Sequence, residues 1–203
     1  GLRGAAQLLD RELDNRELRE FTRIIIAEAD RLCALVNRLT GSYRQPVMRP
    51  LNVHQVLEHV RKLVSAEANS SLVITRDYDP SLPDVVGDSD QLIQALLNIV
   101  RNAVQAMEGR GRIVLRTRIE RQFTVGNHRY RNVVRADVED NGPGIDNKIK
   151  EQIFFPMVTS RPEGSGLGLA IAEEIICQHG GLIDYESEQG TTCFSIYLPV
   201  EEE

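Results

Sequence analysis

No apolar run in the sequence approaches the ~18 residues that a membrane-spanning helix needs, so a helical span is excluded. The first residues, Gly1–Arg11, are charged and lack a continuous apolar stretch, so they do not read as a signal peptide. Cysteine is scarce. Cys33, Cys177 and Cys193 lie far apart with no Cys-x-x-Cys, which argues against a disulfide framework or a zinc site and points to a reducing compartment. Basic residues are outnumbered, 24 Lys and Arg against 30 Asp and Glu, for a net charge of −6 and a pI near 5.4. Such a surface repels nucleic acid and anionic membrane unless a local basic patch intervenes. There is no tryptophan and no initiating methionine; the chain starts at Gly1 in mid-pattern and is expected to be a piece of a longer protein. What is present is ordinary: 41% hydrophobic and 27% charged residues over 203 positions, enough for one large domain, or a medium one with an appendage.

The pattern changes along the chain. Residues 1–41 have no proline, and Leu18, Phe21, Ile25, Leu32, Leu35 and Leu39 follow a three-four spacing broken only at Glu28. That is a helical seam about 32 Å long. Leu2–Leu9 reads as the end of an earlier helix, joined through the polar turn Asp10–Asn15, giving a truncated helical hairpin. One helix and a stub cannot bury the seam, so a homodimer through this hairpin is expected. Residues 42–50, with Pro46 and Pro50, read as a linker. From residue 51 to 203 helix and strand signals mix. Val53, Val56, Leu57, Val60, Leu63 and Val64 give an amphipathic helix capped by Asn52, and Leu72–Arg76 a short strand. Asp77–Asp88 reads as loop and Gln91–Met107 as a helix. Arg112–Thr124 and Tyr130–Glu139 predict a hairpin, Leu167–His179 a helix, and Leu182–Ser187 with Thr192–Leu198 a final hairpin. The order predicts an α+β fold, a two-layer α/β sandwich with a sheet under helices.

Three motifs could carry chemistry. In Asn98-Ile99-Val100-Arg101-Asn102-Ala103-Val104-Gln105-Ala106 the two asparagines are stacked on one helical face. Their amide oxygens suit Mg²⁺, which needs few protein ligands when phosphates and water supply the rest; two solvated asparagines are the plainer reading. Asp140-Asn141-Gly142-Pro143-Gly144-Ile145 follows a strand. Its glycines allow a tight turn against a planar ligand, and its carboxylate suits an exocyclic amine; a plain turn also fits. Gly164-Ser165-Gly166-Leu167-Gly168 opens a helix whose first N–H groups can meet an anion. No Gly-Lys-Ser/Thr occurs, and the glycines do not directly follow a strand, so neither a Walker loop nor a dinucleotide fingerprint fits.

In this order the three motifs resemble the N, G1 and G2 boxes of the ATP-binding domain shared by sensor histidine kinases, ninety-kilodalton heat-shock chaperones, type II topoisomerases and mismatch-repair ATPases. Phe154-Phe155-Pro156-Met157 resembles the F box of the histidine kinases. Gly1–Leu9, Arg76–Pro83 and Val138–Ile145 are similar to the nitrogen-regulation sensor kinases. The resemblance covers nearly the whole chain. It implies an ATP-dependent protein-histidine kinase in the cytoplasm, with ATP and Mg²⁺ as cofactors. Asp140 would read adenine, with Gly142, Gly144 and Ile145 beside the base. Asn102, helped by Asn98, would hold Mg²⁺, and Gly164, Ser165, Gly166, Leu167 and Gly168 would meet the phosphate tail under a lid, Asp146–Ser165. It further implies transfer to an aspartate on an NtrC-like response regulator receiver domain, possible phosphatase activity, and a PII signal protein as a second partner. Two departures stand out. The family's phosphoacceptor histidine is expected upstream of Gly1, since none of His54, His59, His128 or His179 has its context. Gln105 stands where many relatives carry a phosphate-facing Lys or Arg, which makes Arg161 the substitute candidate. An ATP-driven clamp or an ATP-sensing module without histidine phosphorylation are the competing readings.

Overall fold

The computed structural model describes residues 46–68, 71–159 and 164–200. The chain divides into two units, Gly1–Arg44 and Gln45–Glu203, and the description concerns the second. The helical hairpin expected over 1–41 and the candidate Arg161 lie outside the described residues.

The chain enters through β1 (Arg49–Leu51) and helix α1 (Val53–Glu67). Asn52 caps α1 as expected, its side chain accepting from the His54 N–H at 3.0 Å. Strands β2 (Leu72–Asp77) and β3 (Val85–Gly87) lead into α2 (Ser89–Ala106). A long hairpin of β4 (Gly111–Val125) and β5 (His128–Asp140) follows, then one 3-10 turn (Lys150–Gln152), α3 (Gly168–Gln178), and the hairpin β6 (Leu182–Glu188) and β7 (Thr191–Pro199). The main sheet has the order β2-β4-β5-β7-β6, with β2 and β4 parallel and all other pairs antiparallel.

Alternation on the central strands sorts residues cleanly to two faces. Leu115 stands opposite Val138, and Val138 opposite Phe194, while Thr117, Ala136 and Ile196 form the next row. These rows are buried under Val56, Leu57 and Val60 of α1, Leu92, Leu96 and Ile99 of α2, and Ile171, Ile175 and Ile176 of α3. Each such side chain stabilises the fold by about 1.5–3 kcal/mol when fully buried. The opposite face is ionic. Asp77 accepts from Arg116 at 3.0 Å and from Arg118 at 2.7 Å, Arg116 reaches Glu139 at 3.1 Å, and Arg135 reaches Asp137 at 2.8 Å. One edge strand, β6, carries the exposed acids Asp184, Glu186 and Glu188.

Two expectations shift. Arg49 and Pro50, read as linker, belong to β1, which pairs antiparallel with β3 inside the stretch expected to be loop. Leu63 is exposed rather than inward. Cys177 is exposed and Cys193 half-buried; Cys33 is outside the described residues. Met157, in the F-box stretch, is 77% exposed.

Candidate nucleotide site

Helix α2 is the spine of the site. Asp88 starts it, its Oδ1 accepting from the N–H groups of Asp90 and Gln91 at 3.0 and 3.1 Å. Burial opposes charge on this carboxyl, but the N–H donors of Val47, Gln91 and Asp90 hold it below the usual carboxylate range. The apolar stripe Leu92, Ala95, Leu96, Ile99, Val100 and Ala103 is buried, which turns Asn98 and Asn102 toward the flank where both are half-buried.

Two of the motifs meet this helix eight residues apart, about 12 Å along its axis. At the far end, a Cβ placed on Gly142 would stand 2.7 Å from Asp140 Oδ1, 3.2 Å from Met107 Cγ and 3.7 Å from Ala106 Cβ. The absent side chain therefore leaves a cradle between the Asp140 carboxylate and the end of α2. Asp140 is 4% exposed, and its Oδ1 accepts from the Gly142 N–H at 2.8 Å. At the near end, a Cβ on Gly168 would lie 3.8 Å from Asn98 Cβ. The start of α3 thus faces Asn98, and the unpaired N–H groups of a helix start attract anions there.

Asn98 tests the fit. Its Nδ2 is buried without a hydrogen-bond partner. A buried amide group left unpaired costs about 1–3 kcal/mol, so it calls for an oxygen. A phosphate oxygen satisfies it directly; a half-turn of the amide offers its oxygen to a cation instead. Among the described residues no group of three or more His, Cys, Asp or Glu side chains could hold a metal, so a cation here depends on amide oxygens and on the ligand's own phosphates.

The other candidates divide. Leu167 is buried, and its carbonyl accepts the Ile171 N–H at 3.0 Å. Gly164 and Ser165 are half-buried beside Gly166, whose left-handed φ of 64° and contact with Met157 backbone atoms exclude a side chain. Gly144 faces away from the cradle: a Cβ there would meet the Glu188 carbonyl at 2.6 Å. The Ile145 N–H donates to Ser187 Oγ at 2.9 Å. These two therefore fasten the turn to β6. The segment after the turn is anchored at its base, where Tyr185 Oη donates to the Lys150 carbonyl at 2.7 Å and Lys150 Nζ to the Ser187 carbonyl at 2.9 Å. Ile153 is buried, and Phe154 packs edge-on against Phe194 at 6.4 Å. Phe155 is 59% exposed. Met107 and Ala106, which floor the cradle, were read from sequence only as helix core and box end.

Residues 87–202 match the family described as histidine kinase-, DNA gyrase B-, and HSP90-like ATPase. The chain belongs to this ATPase family. Among family members, the sensory histidine kinase/phosphatase NtrB of Klebsiella oxytoca is 51% identical over 202 residues, covering 98% of this chain and 58% of the relative. NtrB of Vibrio alginolyticus is 49% identical with the same coverage. The chain thus spans 58% of the length of these curated relatives. Full-length ShkA, solved in complex with AMPPNP, is similar over 100% of this chain and 43% of its own, at a TM-score of 0.72 and 26% identity. Histidine kinase ThkA, solved in complex with the response regulator protein TrrA, is similar over 98% of this chain and 57% of its own, at a TM-score of 0.68 and 26% identity. The ATPase-family fold accounts for the sandwich and for helices gathered on one sheet face. Among the described residues no helix is long and apolar enough to cross a membrane.

Proposed function

We propose that this chain is the ATP-binding part of a sensor histidine kinase of the NtrB type, acting in the cytoplasm. The observation that carries the reading is the double contact along α2: Asp140 and Gly142 at Ala106–Met107, and Gly168 at Asn98. A nucleotide laid along this line has its base against the carboxylate and its phosphates at the start of α3. Asp140 accepts from the adenine amine. Asn98 and the first N–H groups of α3 donate to phosphate oxygens, and Asn102 offers its amide oxygen to Mg²⁺. The cation neutralises charge across the phosphates when bound. The protein's share in phosphoryl transfer is positioning and charge stabilisation rather than covalent chemistry. Arg161 is proposed as a further phosphate contact, in place of the basic residue that Gln105 replaces.

By likeness to the NtrB relatives, the phosphoryl group passes to a histidine N-terminal to Gly1 and then to a receiver-domain aspartate of an NtrC-like response regulator. The whole protein would act as a homodimer through the hairpin of residues 1–41 and answer to a PII protein, which biases kinase against phosphatase output. Calorimetric titration of ATP, with Mg²⁺ and with chelator, against wild type and Asn102→Ala tests the site. The wild type is expected to bind more tightly with Mg²⁺ and the variant to lose most of that gain. A variant that keeps the full Mg²⁺ dependence refutes the role of Asn102. Labelled ATP should leave this chain unphosphorylated and should label a chain extended upstream; absence of label on an extended chain that binds Mg-ATP would favour the clamp reading.

A further inference from the structure

His179 ends α3 on the side away from the nucleotide motifs, and it is 6% exposed. Its Nδ1 lies 2.8 Å from the Ile175 carbonyl, one turn back on its own helix, and therefore donates. Its Nε2 is 2.9 Å from the backbone N–H of Asp88 and therefore accepts. These two partners fix one neutral tautomer, with the proton on Nδ1. Asp88 is the cap of α2, so the ring joins the last residue of one helix to the first backbone group of the other.

The surroundings are shaped for this contact. A Cβ on Gly87 would strike His179 Cδ2 at 2.8 Å, so only glycine lets the ring reach Asp88. Behind the ring, Gly180 takes a left-handed φ of 66° and the Gly181 N–H returns to the Ile176 carbonyl at 2.9 Å. A Cβ on Gly181 would collide with the Tyr197 carbonyl, which seats the turn against β7.

The helices are thus pinned at two points. Gly168 faces Asn98 at one end, close enough that an added Cβ would reach contact, and His179 holds Asp88 at the other. From Asp88 to Asn98 the axis advances about 15 Å, and from Gly168 to His179 about 16 Å. The matched lengths mean that the two helices run antiparallel in one register. We propose that His179 is a positioning residue that sets this register, and through it the spacing between the phosphate-facing start of α3 and Asn98 and Asn102. The inference rests on the nucleotide reading above and adds to it a group remote from the ligand. The base end is formed by the turn after β5 and the end of α2, with no residue of α3, so a shift of α3 along α2 leaves it in place.

Dependence of one end alone gives the test. His179→Phe keeps the ring volume and removes both nitrogens; His179→Gln restores an acceptor near the Nε2 position; Gly87→Ala displaces the ring while leaving it intact. Affinities for Mg-AMPPNP and for adenosine, which has the base and no phosphate, are measured by NMR titration of the whole chain, with calorimetric melting for stability. Loss of one hydrogen bond to a charged phosphate costs roughly ten- to a hundredfold in affinity. We expect His179→Phe and Gly87→Ala to weaken Mg-AMPPNP on the order of tenfold while changing adenosine less than about twofold. His179→Gln should recover most of the loss. Equal weakening of both ligands, or no weakening in variants that melt normally, overturns the inference and leaves the nucleotide reading standing. If His179→Phe does not fold, the Gly87→Ala and His179→Gln ratios decide alone. A wild type that binds neither ligand overturns both the reading and the inference.

Discussion

Replacing Gly142 by alanine adds one methyl group at the tightest point of the base cradle. Its three neighbours are Asp140 Oδ1 at 2.7 Å, Met107 Cγ at 3.2 Å and Ala106 Cβ at 3.7 Å. The nearest is closer than carbon and oxygen tolerate, so the carboxylate must swing or the turn must lift. The turn is held on its far side, where Gly144 abuts the Glu188 carbonyl and Ile145 is bonded to Ser187. The carboxylate therefore gives way and loses the 2.8 Å bond from the Gly142 N–H. A hydrogen bond to a charged group contributes about 1.5–3 kcal/mol, so removing Asp140 from a nucleobase amine should weaken ATP roughly ten- to a hundred-fold. Calorimetric titration of ATP and adenosine against wild type and Gly142→Ala reads the effect. Both adenine ligands should weaken together, unlike in the His179 variants. Gly142→Ala binding ATP as wild type does, with an unchanged melting temperature, would refute the cradle.

Two other outcomes follow from the geometry. Burial holds the His54 imidazole below its usual 6.5, with Asp79 and Glu58 pulling the other way, while its Nε2 lies 3.0 Å from Thr117 Oγ1. The unfolded chain then takes the proton first, so stability is complete above about pH 6.5 and declines as pH falls toward the folded value; melting curves from pH 7.5 to 5 should be flatter for His54→Gln, and identical slopes would exclude the coupling. In the lid segment the N–H groups of Phe155 and Met157 donate to the Gln152 and Gly166 carbonyls at 2.9 and 3.0 Å, and Mg-ATP should slow the exchange of both amides; exchange unchanged by nucleotide would mark a rigid loop.

What the sequence revealed depended on how local the cause was. The β4–β5 hairpin was readable because alternation runs through Ile113, Leu115 and Thr117 and again through Val134, Ala136 and Val138. Strands β1 and β3 were not, because three residues each, one of them Pro50, are too few to alternate. The spacing of Asn98 and Asn102 is plain in the sequence, but the burial of the Asn98 amide nitrogen is a tertiary property that no local pattern carries. Gly142 and Gly144 look equivalent in sequence; the first faces the cradle and the second the Glu188 carbonyl, a distinction set by how the β6–β7 hairpin is seated. His179 closes a helix legible in the sequence, but nothing in its own neighbourhood names Asp88 as partner.

The acids of β6 have a consequence for how molecules meet. An open sheet offers a free row of backbone donors and acceptors at its border, a template for a strand from another molecule. Here that border presents Asp184, Glu186 and Glu188. A second copy approaching along the same border brings an identical row of negative charge, so fibre-like stacking through β6 is opposed before any backbone bond can form. Replacing the three acids by their amides would lift this guard and open the border to a second copy.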